Sequence, residues 1–354
     1  MFGFSVMDKR YRGVVDPGEA LERIADLLQR VRNQRPKVQA FRRAAEAIRD
    51  IPPDELRELA DAGRLTDLPG IGASSATVIT EALAGKTPAY LENLRVDNEP
   101  PTDLAGPVRA ALRGDLHLHS DWSDGGASIE AMARTASELG HEYLALTDHS
   151  PLVRVANGLD AERLGQQLET LATVNEELAP FRVLAGMEVD IRDDGALDMD
   201  EALLARLDVV VASVHSKLDM EPAAMTKRMV TALANPHVDI LGHCTGRLVV
   251  GKGRAESLFD AEMVFAAAAH LDKAIEVNSR PERLDPPRRL LRLVDESGAK
   301  ISIDSDAHAT WQLGFQSYGC HRVAEAGIAV DRIVNSWPVD DLLAWTAAHA
   351  EAAG

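Results

Sequence analysis

Residues 114–354 alternate between short apolar runs and helical stretches, and this alternation constrains the fold more than any other feature. The runs are Leu116–Leu118, Tyr143–Thr147, Val183–Val189, Val209–Val214, Val238–Gly242, Ala274–Val277 and Lys300–Ile303, each followed by residues with helical periodicity. Strands that are apolar throughout must be covered on both faces, and helices between them supply the cover. Seven such units in succession predict an α/β chain whose parallel sheet closes into a barrel. Chemistry in barrels of this kind sits at the C-terminal strand ends.

Those ends are rich in metal-ligating residues. In the stretch Asp115-Leu-His-Leu-His-Ser-Asp-Trp-Ser-Asp-Gly125, period two places Asp115, His117 and His119 opposite Leu116 and Leu118. The later strand ends carry His149, Glu188, His215, His243, Asp306 and His308. Six of the 11 histidines therefore fall at these positions. His141, His237, His270, His321 and His349 fall elsewhere and read as surface or structural. A lone strand-end histidine is usually a satisfied polar group. Six strands converging on imidazoles and carboxylates would suffer desolvation and mutual repulsion unless cations offset them, so the pattern predicts a metal site.

The rest of the chain has a different character. Residues 1–95 hold 15 Lys+Arg against 14 Asp+Glu, whereas the whole chain carries a net charge of −18. The acidic bulk argues against wholesale coating of nucleic acid. No apolar run approaches the roughly 18 residues of a spanning helix, and Met1–Gly13 lacks the apolar segment of a signal peptide. Cys244 and Cys320 form no CxxC pair, which together with the above predicts a cytoplasmic protein.

Residues 15–95 read as helices only. Leu21, Ile24, Leu28 and Val31 recur at helical spacing, as do Val38, Phe41, Ala45 and Ile48, with Pro36 between the two runs. Leu68-Pro-Gly70-Ile-Gly72 then opens another helix. Two readings of this turn stay open: a phosphate-holding nest at a helix N-terminus, or an ordinary turn in which Gly meets a positive φ. Residues 96–113, with Pro100-Pro101, read as a semi-rigid linker.

Arg35, Lys37, Phe41, Arg42 and Arg43, followed by the turn at Gly70 and Gly72, resemble the amino-terminal helix-hairpin-helix domain of family X DNA polymerases, which grips a DNA backbone near gaps or ends. Lyase activity is not expected, because the lysine it requires in that family would fall at Val78. Nor is polymerisation, because about 18 linker residues cannot hold a nucleotidyltransferase domain.

The strand-end motifs, with Asn235-Pro-His-Val-Asp-Ile-Leu-Gly-His243, Thr245-Gly-Arg247 and Asn335-Ser-Trp-Pro338, resemble the polymerase and histidinol phosphatase (PHP) family, in particular the module that ends bacterial family X polymerases. The resemblance implies a distorted, TIM-like (β/α)7 barrel over 114–354 with two to three divalent ions, Zn, Mn or Fe. One ion would take His117, His119, Glu188 and Asp306. A second would share Glu188 and add His215 and His243, and a third would take Asp124, His149 and His308. It further implies a hydroxide held through Glu188, His215 and Asp306 for attack on phosphorus.

Lys217, Arg247 and Arg280 are candidate phosphate clamps, with surface ion pairing as the alternative. Asp115, Asp148 and Asp304 are candidates to orient ligand histidines. Three functions remain open: a phosphoesterase acting on DNA, as a 3′-5′ exonuclease or a processor of 3′ ends or abasic sites; a small-molecule phosphatase of the histidinol-phosphate type; and a DNA-binding adaptor with structural metals.

Overall fold

The computed structural model describes residues 16–30, 35–98, 102–250 and 253–351. Apart from Val250 these fall into two compact units, one ending at residue 98 and the other starting at 102. Among the described residues no helix is long and apolar enough to cross a membrane.

The first unit consists of α1 (Pro17–Arg30), α2 (Arg35–Ile48), α3 (Pro53–Asp61), α4 (Ala73–Leu83) and α5 (Ala89–Asn98). The expected stripes are its core: Leu21, Ile24, Leu28, Val38, Phe41, Ala45 and Ile48 are all buried. Val31 and the 31–34 connection lie outside the described residues. Pro36 stands at the start of α2, where its missing N–H has no intrahelical partner to lose. Val78 is buried in the same core, on the face of α4 that packs.

The second unit opens with α6 (Thr102–Ala111). The strands are β1 (Gly114–Asp115), β2 (Tyr143–Leu146), β3 (Arg182–Asp190), β4 (Val209–Ser213), β5 (Ile240–Leu241), β6 (Ala274–Asn278) and β7 (Lys300–Asp304). All seven are parallel and lie in sequence order. The helices between them are α7 (Ile129–Glu138), α8 (Ala161–Leu178), the short α9 (Glu201–Leu204), α10 (Pro222–Leu233), α11 (Ala261–His270) and α12 (Arg288–Ser297); α13 (Gln316–Ala326) and α14 (Val339–Glu351) follow β7.

The sheet closes just beyond β1 and β7. Leu118 bridges Ala307 in parallel, with Asp306 N–H donating to the His117 carbonyl at 2.9 Å and His119 N–H to the Ala307 carbonyl at 2.8 Å. Asn335 ties the same seam lower down, its amide nitrogen donating to the carbonyls of Gly114 and Ile303.

Period two explains how the barrel serves its site. Leu184, Val209, Val211, Ile240 and Ala274 pack in one buried cluster with Val334, Leu342 and Trp345. Moving up the same strand faces, the side chains become Glu188 and Asp190 on β3, Ser213 on β4, and Glu276 and Asn278 on β6, all buried. The lower half is sealed with apolar groups and the upper half is ionisable.

Within the 96–113 stretch, the described residues from 102 onward belong to the barrel unit. Thr102–Ala111 is helical, and Ala105, Val108 and Leu112 are buried in the main core of the barrel. These three form an apolar i, i+3, i+7 stripe that the barrel covers, and the adjacent prolines at 100–101, outside the described residues, mask that stripe in the sequence.

Lys273, just before β6, is 3% exposed and its Nζ has no hydrogen-bond partner. Burial lowers its pKa to about 8, against a smaller upward pull from Asp239 and Asp272. Below pH 8 the amine is charged in both states and the folded state carries the desolvation penalty. Between pH 8 and the unfolded value near 10.5 the unfolded chain binds more protons, so stability rises with pH. Lys273→Met is therefore expected to raise the melting temperature at pH 7 and to raise it less at pH 10. Equal gains at both pH values would contradict this assignment.

Candidate metal centre

Glu188 is the hub of the barrel mouth. Its carboxylate is 1% exposed and lies 3.4 Å from His117 Nε2, 3.7 Å from His119 Nε2, 2.9 Å from His149 Nδ1, 3.1 Å from His215 Nε2 and 2.8 Å from His243 Nε2. The five imidazoles arrive from four different strand ends. A bridge between His149 and Glu188 extends the β2–β3 pairing and brings those two together.

Asp306, with φ +51, turns back over the β7 end so that its Oδ1 lies 3.5 Å from His119 Nε2 and 3.6 Å from His308 Nδ1. Asp124 Oδ1 lies 3.4 Å from His308 Nε2 and 3.6 Å from His149 Nε2.

Three sets within this cluster place one ligand atom each within 4.8 Å of one another: His117, His119 and Glu188; His149, Glu188 and His215; and His119, Asp124, His149 and His308. Seven of the nine expected ligands fall in these sets, while His243 and Asp306 stand beside them, next to Glu188 and His119, without completing a set. The sets also share members in two ways not expected. His149 reaches both the second and the third set, and His119 reaches both the first and the third.

The residues fit divalent cations. His117 Nε2, both ring nitrogens of His119, His149 Nδ1 and His215 Nε2 are buried and have no hydrogen-bond partner, although four of these atoms crowd the Glu188 carboxylate. Buried polar atoms that approach without hydrogen-bonding geometry are costly unless an ion satisfies them. Mixed imidazole and carboxylate donors suit Zn, Mn or Fe.

The protonation states divide. Burial would lower His117 and His215, but Glu276 and Glu188 raise the first well above the usual imidazole range, and Glu188 and Asp190 raise the second to about 9. A cation would have to displace those protons, whereas three other groups already hold their ligating forms. Burial would raise the Glu188 pKa, but the His215, His117 and His149 imidazoles hold it well below the carboxylate range. Burial would likewise raise Asp306, and Arg280, His119, His117 and Arg283 outweigh it. Burial, with His308 and His149 nearby, lowers His119 to about 3, which keeps the ring neutral.

The groups that orient the ligands differ from expectation. Glu276, fully buried on β6, accepts from His117 Nδ1 at 2.6 Å, and its other oxygen takes the His243 backbone N–H. Asp190, two residues beyond Glu188 on the same strand face, sits 3.2 Å from His215 Nδ1. Such carboxylates fix the tautomer and aim the opposite nitrogen at the metal.

Asp115, Asp148 and Asp304 touch no ligand imidazole. Asp115 caps the backbone N–H groups of His117 and Ser305, and Asp304 that of Leu116. Asp148 collects Ser120, Ser123 and Gln167. These three aspartates brace the loops that carry the ligands.

Of the candidate clamps, only Arg280 lines the site: its guanidinium lies 3.5 Å from Asp306 Oδ1 and 3.2 Å from His308 Nδ1. Lys217 is exposed and paired with Asp193. Arg247 donates to the main-chain carbonyls of Arg283 and Leu284 rather than entering the mouth. Arg283, which sequence reasoning passed over, reaches Asp306 Oδ2 at 3.2 Å. Its position five residues beyond the last β6 residue, at the close of a loop, gave no period to read.

In the first unit, Lys37, Arg42 and Arg43 are exposed on α2, and the Arg35 side chain lies outside the description. Gly70 has φ +93, and a Cβ there would approach the Arg43 carbonyl to 3.3 Å, so the turn sits against the basic helix. Gly72 is the N-cap of α4, with its N–H already taken by Ser75 Oγ at 3.0 Å. Only the N–H groups of the first helical turn remain for an anion there.

Both units resemble known domains. Residues 115–301 match the PHP domain and residues 16–88 a helix-hairpin-helix domain. The chain is 40% identical over 234 residues to a DNA polymerase/3′-5′ exonuclease PolX of Bacillus subtilis, a match covering 66% of this chain and 41% of that protein. The chain thus spans less than half the length of that relative.

A probable phosphatase of Thermoanaerobacter sp. is 31% identical over 234 residues, covering 63% of this chain and 89% of the relative. Among solved structures, a Lactococcus lactis histidinol phosphate phosphatase complexed with zinc, L-histidinol and phosphate aligns with TM-score 0.45 and 17% identity over 61% of this chain and 94% of that one. With the PHP match spanning more than half of the sequence and lying over the ligand-bearing barrel, the chain belongs to the PHP family of phosphoesterases, hydrolases of phosphoric esters whose domains bind several metal ions.

Proposed function

We propose that the protein is a cytoplasmic, metal-dependent phosphoesterase acting on DNA, as a 3′-5′ exonuclease or a processor of 3′ ends or abasic sites. In this reading residues 15–95 hold the DNA and the barrel from 114 to 354 cuts it. The observation that carries the reading is the occurrence in one chain of clustered metal-ligating side chains in the barrel and of a helix-hairpin-helix unit whose glycine turn packs on a basic helix. The PolX relative, named as an exonuclease, lends it support.

Two to three divalent ions held by His117, His119, Asp124, His149, Glu188, His215, His243, Asp306 and His308 would supply activated water and polarise the phosphoryl group. The chain's own residues do the rest. Glu188, His215 and Asp306 fix the place where water is held. Glu276 and Asp190 keep His117 and His215 turned inward, each accepting a ring N–H. Arg280 and Arg283 present guanidinium groups beside Asp306, where they can neutralise phosphoryl oxygens. The buried apolar floor excludes water from below.

The deciding assay supplies the full chain and Mn²⁺ or Zn²⁺ with end-labelled single-stranded, gapped and abasic DNA, and separately with histidinol phosphate. Shortening of the DNA from its 3′ end, or release of a blocked 3′ end, is expected. Turnover of histidinol phosphate alone would give the small-molecule reading its place. That reading has one observation in its favour, the probable phosphatase that this chain nearly spans. Metal-loaded protein that binds DNA and hydrolyses nothing would be an adaptor.

Gly70→Ala with Gly72→Ala is expected to weaken DNA binding about tenfold, with little effect on a chromogenic phosphoester. The left-handed φ of Gly70 penalises Ala by roughly 1–2 kcal/mol and shifts the turn. Wild-type binding should fall with added salt on a shallow slope, since few phosphates are gripped. Filter binding across a salt series measures both.

A further inference from the structure

A second cationic cavity lies behind the metal mouth. It encloses about 390 Å³ and is lined by Arg247, Leu284, Arg288, Tyr318, His321 and Arg322. The loop after β6 divides the two sites: the Arg283 side chain reaches Asp306 in the mouth, whereas the Arg283 and Leu284 carbonyls accept from Arg247 on the cavity side. Arg288 opens α12, a helix of 10 residues, so bare N–H groups and a partial positive charge stand at the rim.

The strongest pointer is Arg322. It is 6% exposed, donates through one terminal nitrogen to the Pro286 carbonyl, and leaves NH1 buried without a partner. His321 Nδ1 is likewise buried and unpartnered. Among the described residues the lining contains three guanidinium groups and no carboxylate. Two acids outside it pair with lining residues, Glu325 at 2.7 Å from Arg288 and 3.6 Å from His321, and Glu256 at 3.4 Å from Arg247, which leaves Arg322, among the described residues, as the guanidinium without a carboxylate partner. A buried guanidinium nitrogen with no acceptor calls for an oxygen-rich anion.

We propose that this cavity is a second phosphate site, in which Arg288 and Arg322 grip one phosphate group and Arg247 keeps the dividing loop in place. The site rests on its own residues. That its phosphate belongs to the same polynucleotide as the bond being cut rests on the DNA reading above, and a free phosphorylated molecule is the other source of the same chemistry.

The test compares full-length, metal-replete wild type with Arg288→Glu, an exposed position that also gives up its ion pair with Glu325, and with Arg322→Lys, circular dichroism confirming that each variant is folded. Two measurements are made. One is the ratio of KM for a short single-stranded oligonucleotide to KM for thymidine 5′-p-nitrophenyl phosphate, which has no flanking phosphate. The other is the rise in melting temperature produced by inorganic pyrophosphate.

For a polynucleotide phosphate, Arg288→Glu raises the KM ratio about tenfold, as expected for one lost charged contact. For a free phosphate, the ratio holds and the pyrophosphate stabilisation falls in both variants. An unchanged ratio together with undiminished stabilisation in Arg288→Glu overturns the site. If wild type leaves oligonucleotides uncut, the DNA reading fails by itself and the pyrophosphate arm alone decides the cavity.

Discussion

Glu188→Ala is expected to remove more than one metal ion per chain and to lower phosphoester turnover by at least about 10⁴-fold, because metal-activated water and phosphoryl polarisation fail together. The reason is geometric. One carboxylate lies within 3.7 Å of five imidazoles, so both the first and second ligand sets depend on it. Elemental analysis of gently purified protein gives the metal count, and circular dichroism confirms that the barrel remains folded. Glu276→Gln should act more mildly, weakening metal affinity some 10- to 100-fold by loosening His117 while leaving every first ligand in place. Wild-type metal content in Glu188→Ala would remove the bridging role.

The expectation for Glu188 came from sequence; that for Glu276 needed the fold. A strand end can be read from an apolar run that stops at a His, Asp or Glu, and that signal picks out eight of the nine candidate ligands, Asp124 being implied only by the family resemblance. Which carboxylate backs which imidazole depends on registers between strands remote in sequence. His117 and Glu276 are separated by 159 residues and meet only because β1 and β6 face the same interior. Sequence proximity alone points to the neighbouring aspartates instead. Yet Asp115 is two residues from His117, and its carboxylate bonds backbone N–H groups instead. Asp190 was within reach of the same period-two argument, since it follows Glu188 on one face of β3. The arginines were less legible still: Arg247 and Arg283 lie in loops, where no period exists and carbonyl acceptors compete for guanidinium groups.

The same limit applies to α6 and sets up the sharpest test of domain organisation. A fragment beginning at Pro100 is expected to fold, keep its metals and hydrolyse a chromogenic phosphoester at near full-length rate, whereas one beginning at Leu112 is expected to melt far lower or not fold. The shorter fragment lacks the burial of Ala105 and Val108 and frees Leu112 from its helix, and with them the cover over part of the main core. Those side chains together contribute roughly 4–7 kcal/mol of apolar burial. A domain's whole margin is about 5–15 kcal/mol.

Both fragments lose the near-neutral leader, so the remaining chain is strongly acidic, residues 1–95 having 15 Lys+Arg against 14 Asp+Glu within a total of −18. The longer fragment should accordingly bind DNA much more weakly than the full chain while its turnover of small esters persists, since its acidic surface repels phosphate away from the metal mouth and the arginine cavity. Thermal melts, metal analysis and the two assays together separate the outcomes. Equal stability of the two fragments would return residues 102–111 to the status of a tether, and equal DNA cleavage by the longer fragment and the full chain would take the helical unit out of substrate binding.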